Sequence, residues 1–160
     1  MRPMQSKPPA PGFSGYPAGL QVDPVIAEGA QTKAILFVDD HEVLARLSCE
    51  ILEMQGYRVV SAYSAEEALH KFAHEHFDIV VTDYRMQGMN GDELASIVRG
   101  RRPEMPVIIV TGYGPIENNG GNDVAACLQK EDLFPALLDT IKLLLGENEI
   151  AVKAPAVKSA

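Results

Sequence analysis

Residues 35–40 read Ile35-Leu36-Phe37-Val38-Asp39-Asp40, a short apolar run closed by two acids. A run this brief and this uniformly apolar has the pattern of a strand covered on both faces, as strands of a parallel sheet are. The pattern returns twice: Ile79-Val80-Val81-Thr82 ends at Asp83, and Val107-Ile108-Ile109-Val110 ends at Thr111. A weaker run, Ala125-Ala126-Cys127-Leu128-Gln129, ends at Lys130. Parallel strands place all their carboxyl ends on one edge of the sheet, so Asp39, Asp40, Asp83, Thr111 and Lys130 are expected to be neighbours although they are distant in sequence.

Helical patterns lie between these runs. Residues 42–55 are expected to form a helix with Val43, Leu44, Leu47, Ile51 and Met54 on one face, closed by Gly56. After a short strand over 57–61, Ser64 followed three residues later by Glu67 forms a capping-box pattern for a helix carrying Ala68, Leu69, Phe72 and Ala73. Strands are expected over 34–38, 77–82, 107–110 and 125–129, and helices over 91–99 and 131–145, the last with Leu133, Leu137, Leu138, Ile141 and Leu144 inward. This alternation predicts an α/β fold: an open, doubly wound, five-stranded parallel sheet with helices on both faces. Residues 1–32, rich in proline and glycine and without apolar rhythm, are expected to be a disordered arm, and 147–160 a flexible tail.

Bulk properties narrow the function. At 160 residues the chain accommodates one domain with tails. Its net charge of -8 argues against nucleic acid, whose affinity comes mainly from Lys and Arg neutralising phosphates. No apolar stretch approaches the ~20 residues that span a bilayer, and the first residues lead into proline rather than an apolar signal core, so no membrane contact and a cytoplasmic location are expected. Cys49 and Cys127 have neither the density nor the spacing of a disulfide framework or zinc site, and are expected to be buried thiols in a reducing compartment.

An acidic pair before a helix serves well as a cap, and a strand ending in Asp at a turn is ordinary. Their shared sheet edge calls for more. Carboxylates packed together repel, and a hard cation such as Mg2+ relieves that repulsion by ligating oxygen while leaving positions open for water and phosphate. A carboxylate beside such an ion can attack phosphorus to form an acyl phosphate. Asp83, in the middle of the set, is the expected nucleophile, with Asp39 and Asp40 placed to hold metal and water. Thr111 can donate its hydroxyl to a phosphoryl oxygen and Lys130 can neutralise another. A cation at a helix start opposes the dipole, so the position of Lys130 points to an anion as partner.

With these residues in place, the stretch from about Ala34 to Leu145 resembles the receiver domain of two-component response regulators. The likeness rests on Val38-Asp39-Asp40, on Asp83-Tyr84-Arg85-Met86-Gln87-Gly88-Met89-Asn90-Gly91, on Val110-Thr111-Gly112-Tyr113 and on Lys130, four ordered motifs at matching intervals. It implies a flavodoxin-like (βα)5 fold with strand order 2-1-3-4-5 over residues 33–146, and Asp83 as phosphoacceptor. It further implies Mg2+ held by Asp39, Asp40, Asp83 and the main-chain carbonyl of Arg85, with Gly91 relieving the backbone where the loop closes. The implied role is not that of an enzyme. It is that of a module phosphorylated by a histidine kinase or histidine phosphotransfer protein, which signals to a downstream effector by contact or relays the phosphoryl group. With no output domain expected after residue 145, a single-domain relay or phosphate sink is favoured, and the Thr111-Gly112-Tyr113 segment is similar to receivers at the carboxyl end of hybrid sensor kinases. Two alternatives stay open: an interaction module that works without phosphorylation, and a Mg2+-dependent phosphohydrolase. The second usually needs another acid two residues after the nucleophile, where this chain has Arg85.

The chain departs from the receiver pattern in four places. Glu131 stands where proline usually follows the lysine, so a trans peptide is expected there. Gln87 also replaces a usual proline, which predicts a looser loop; Cys127 occupies the place of the usual switch aromatic, with Tyr113 as a substitute; and Asn118-Asn119-Gly120-Gly121-Asn122 predicts a truncated fourth helix. His70, His74 and His76 lack a completing Cys or Glu and read as a solvated face. Gly112-Tyr113-Gly114 lacks the remaining features of a dinucleotide fingerprint.

Overall fold

The structure, a computed structural model, describes residues 31–112 and 124–147. The expected arm and tail, the shortened fourth helix and Tyr113 fall outside these residues, apart from Gln31, Thr32 and Glu147. Five strands form one parallel sheet in the order β2-β1-β3-β4-β5: β1 Ala34–Val38, β2 Arg58–Ala62, β3 Ile79–Asp83, β4 Val107–Thr111 and β5 Ala126–Gln129. The described helices are α1 Glu42–Met54, α2 Ala65–His74, α3 Gly91–Arg101 and α4 Leu133–Leu144. The expected doubly wound topology is therefore the observed one.

Strand alternation divides the core in two. Leu36, Val38 and Val80 face α2 and α3, where Phe72, Leu94 and Val98 cover them. Ile35, Phe37, Val81 and Ile108 face the other way, under Leu52 of α1 and Leu137 and Ile141 of α4. Because β1, β3 and β4 are buried along their whole length, they need apolar residues on both faces, which explains their unbroken Ile and Val runs.

The face that α1 buries is not its stripe of large apolar residues. Ala45, Ser48, Cys49 and Leu52 point inward, while Val43, Leu44, Leu47 and Met54 are 63%, 43%, 51% and 83% exposed. Large residues on the sheet fill the space beneath α1, so small side chains on the helix let it approach. Cys49 is buried as expected, and burial, then the charges of Glu53 and Glu50, push its thiol up to about 11. Cys127 is exposed, contrary to expectation. It lies on edge strand β5, where Ala126 and Leu128 pack on the core and Cys127 between them points away.

Local signals account for most helix ends. The Glu67 N–H donates to Ser64 Oγ at 3.1 Å, but the Glu67 carboxylate accepts from Tyr63 N–H at 2.9 Å, one residue earlier than a full capping box requires. The full box occurs at α3, between Asn90 and Glu93. The last helix is preceded by a 3-10 turn, Lys130–Asp132, and Pro135 falls in its first turn, where no helical N–H is lost. Glu147, the first residue of the expected tail, accepts from the Tyr57 hydroxyl at 2.7 Å.

Candidate functional site

Each strand end delivers one group to the carboxyl edge. Asp83 pairs in register with Val110, so Thr111 lies one step beyond it; Thr111 pairs with Gln129, so Lys130 follows by one more. Asp39 and Asp40 follow β1 directly, and Asp39 N–H donates to the Ala62 carbonyl at 3.1 Å, continuing the ladder past the end of the strand. Asp39, Asp83 and Thr111 are buried, whereas Asp40 and Arg85 are exposed.

One oxygen from each of Asp39, Asp40 and Asp83 falls within 4.8 Å of the others. Lys130 Nζ lies 3.1 Å from Asp39 Oδ2 and 3.2 Å from Asp83 Oδ2. It does so with no cis peptide among the described residues, so the Lys130–Glu131 bond is trans as expected and the ammonium still reaches the site. Asp83, Arg85, Thr111, Gly112 and Lys130 line a cavity of about 360 Å3. Asp83, Thr111 and Lys130 thus border one small opening, and Asp39 and Asp40 lie in the carboxylate cluster with Asp83.

The electrostatics follow from this crowding. Burial, aided by the charge of Asp39, pushes the Asp83 carboxyl above its ordinary range against the pull of Lys130. Burial also opposes the charge on Lys130, but its bonds to Asp39 and Asp83 outweigh that cost and hold the ammonium above its usual value. Three carboxylates share one cluster, and the Lys130 ammonium pairs with two of them, Asp39 and Asp83. All the donors are oxygens, a set that fits a hard divalent cation such as Mg2+.

The loop after β3 carries two features that sequence reading missed. The Gln87 N–H donates to Asp40 Oδ2 at 3.3 Å. The available signal was the missing proline itself, because any other residue supplies an N–H there. The positive φ, 78°, belongs to Gly88 and not to Gly91. Gly91 is required for space: a Cβ at that position would collide with the Asp83 carbonyl oxygen. Its N–H donates to the Tyr84 carbonyl at 2.8 Å, which closes the loop on the strand.

His70, His74 and His76 are all exposed, in keeping with a solvated face. The His70 and His74 ring centroids lie 4.5 Å apart. No described helix is long and apolar enough to cross a membrane.

Comparison with known proteins agrees with this architecture. A solved receiver domain protein from Methanospirillum hungatei, described as CheY-like, superposes with a TM-score of 0.66 at 36% identity, covering 73% of this chain and 96% of that one. The response regulator TrrA of Thermotoga maritima, solved in complex with Mg2+-BeF, gives 0.67 at 31% identity over 71% of this chain and 99% of that one. Among curated relatives, the response regulator FleR of Pseudomonas aeruginosa is 36% identical over 83 residues, 52% of this chain and 18% of FleR. The sensor protein EvgS of Escherichia coli is 32% identical over 124 residues, 76% of this chain and 10% of EvgS. This chain therefore spans only a small part of the curated relatives it matches. The family profile of the response regulator receiver domain matches residues 35–130, more than half of the chain. The protein belongs to the receiver domain family of two-component signalling.

Proposed function

We propose that this receiver is a phosphoacceptor that takes a phosphoryl group from the phosphohistidine of a histidine kinase or histidine phosphotransfer protein onto Asp83. An Asp83 carboxylate oxygen attacks phosphorus, the nitrogen–phosphorus bond breaks opposite it, and the histidine nitrogen leaves with the bonding pair. Mg2+, held by Asp39, Asp40, Asp83 and the Arg85 main-chain carbonyl, would spread the charge of the transferring oxygens. Lys130 exchanges its contact with the Asp83 carboxylate for a phosphoryl oxygen, and the Thr111 hydroxyl donates to another. The observation that carries this reading is the buried Asp83 carboxylate, 3.2 Å from Lys130 and opening on the small cavity that Thr111 also lines.

Partner docking has its own support. A groove of about 750 Å3 beside Asp83 is bordered by Leu44, Leu47 and Ile51 of α1 and by Leu133, Phe134 and Pro135 of α4. An apolar helix face left open next to the acceptor suits a helical, histidine-bearing partner, whose imidazole must come within bonding distance of Asp83. From there the module signals to an effector by contact or passes the phosphoryl group on.

Incubation with acetyl phosphate and Mg2+ should give one hydroxylamine-labile phosphate per chain, absent from Asp83→Asn. Equal labelling of that variant would remove Asp83 from its role. Partner binding equal in wild type and Asp83→Ala, with no labelling of either, would instead favour an interaction module that needs no phosphorylation.

A further inference from the structure

The loop after β3 holds Asp40 through a bond that the usual proline could not make. Asp40 is the exposed member of the three-carboxylate cluster, and an exposed carboxylate on a short stem is free to change rotamer. Asp39 is constrained by burial and by the His41 N–H, which donates to Oδ1 at 2.9 Å, and Asp83 by burial at the end of β3. For Asp40, the side-chain hydrogen bond shown comes from the main-chain N–H of Gln87, 3.3 Å from Oδ2. Gly88, with φ of 78°, turns the chain immediately afterwards. The neighbouring loop thus supplies a donor across a separation of 47 residues.

We infer that Gln87 is a positioning residue for the divalent cation. Its N–H engages one oxygen of Asp40 and holds the carboxylate in the orientation in which the cluster can share an ion. The side chain of Gln87 plays no part; the contribution is the main-chain donor, which every residue except proline would bring. A ligand held by such an outer contact loses less freedom when the cation binds, so affinity rises. The inference rests on the proposed metal site and adds to it a role for the main-chain N–H at position 87.

The test titrates Mn2+, an oxygen-preferring stand-in whose free form gives a paramagnetic resonance signal, into the full chain and its variants. Gln87→Ala keeps the N–H and should bind within about twofold of wild type, whereas Gln87→Pro removes it and should bind about tenfold more weakly. Since proline also restricts Met86, the same change is made on an Asp40→Ala background, where Gln87→Pro should cost nothing further. Urea midpoints taken without metal separate a folding defect from a lost ligand contact. Equal affinity in wild type and Gln87→Pro, equal weakening by Gln87→Ala, or an undiminished effect on the Asp40→Ala background overturns the inference. Absence of Mn2+ binding by wild type overturns the metal site as well, so the two failures are distinguishable.

Discussion

Gly91 shows how one atom can decide whether the loop closes on its strand. A methyl group there would meet the Asp83 carbonyl oxygen and crowd the Tyr84 backbone, neither of which can move without shifting the acceptor itself. Gly91→Ala should therefore cost about 1–3 kcal/mol in urea denaturation and also lower labelling by acetyl phosphate. Gly100 is the internal control. It lies within α3, is exposed, and a Cβ there meets nothing within 4 Å. Gly100→Ala should gain about 0.5–1 kcal/mol and leave labelling unchanged, because alanine loses less backbone entropy on entering a helix. A Gly91→Ala variant as stable as wild type would show that the loop has slack that the close approach to Asp83 does not suggest.

At the scale of elements, α1 separates folding from docking. Leu52 is fully buried against the sheet, while Leu47, on the same helix, is half exposed beside the acceptor groove. Leu52→Ala should cost about 2–5 kcal/mol, and Leu47→Ala should stay within about 0.5 kcal/mol of wild type. Leu47→Glu should leave labelling by acetyl phosphate intact and reduce phosphotransfer from a phosphohistidine partner, since the small donor does not need the groove. Loss of both activities would mean that α1 supports the site and not the partner. The same helix marks where sequence reading runs out. Periodicity favours the largest apolar stripe, yet the inward residues of α1 are mostly small because Ile35 and Phe37 already fill the layer. The strands were legible because burial on both faces leaves uninterrupted apolar runs, and the acidic edge was legible because parallel strands all end on one side. The tie from Gln87 to Asp40 was not, since a main-chain donor is the same in every residue but proline and only the fold brings it into reach.

Across the whole molecule, the carboxylates pull in opposite directions as pH changes. Asp78 links the starts of β1 and β3, accepting from Ala34 N–H at 2.8 Å and from Lys33 at 3.3 Å; these bonds outweigh burial and hold its pKa below the ordinary range. Glu67 is lowered too, first by Lys71 and then by the Tyr63 N–H. A carboxyl with a lowered folded pKa contributes stability that is present above its ordinary pKa and is lost as pH falls through the folded value. Asp83 has the opposite sign. Its folded pKa is raised, chiefly by burial, so the native state binds the proton more tightly than the unfolded chain does, and stability declines as pH rises from the ordinary range through the folded value. Asp83→Asn, which keeps the shape and removes the charge, should therefore raise the urea midpoint at neutral pH, and the gain should shrink in acid, where wild-type Asp83 is already protonated. Asp78→Asn should lower the midpoint at neutral pH, with the deficit also shrinking in acid. Divalent cation should stabilise wild type by about 1.4 kcal/mol at ten times its dissociation constant, and Asp83→Asn by less at the same concentration, because a ligand charge is missing. A midpoint for Asp83→Asn below that of wild type at neutral pH would mean that Lys130 more than compensates the buried acceptor charge, and that the site is not held in a strained ionised state awaiting a cation.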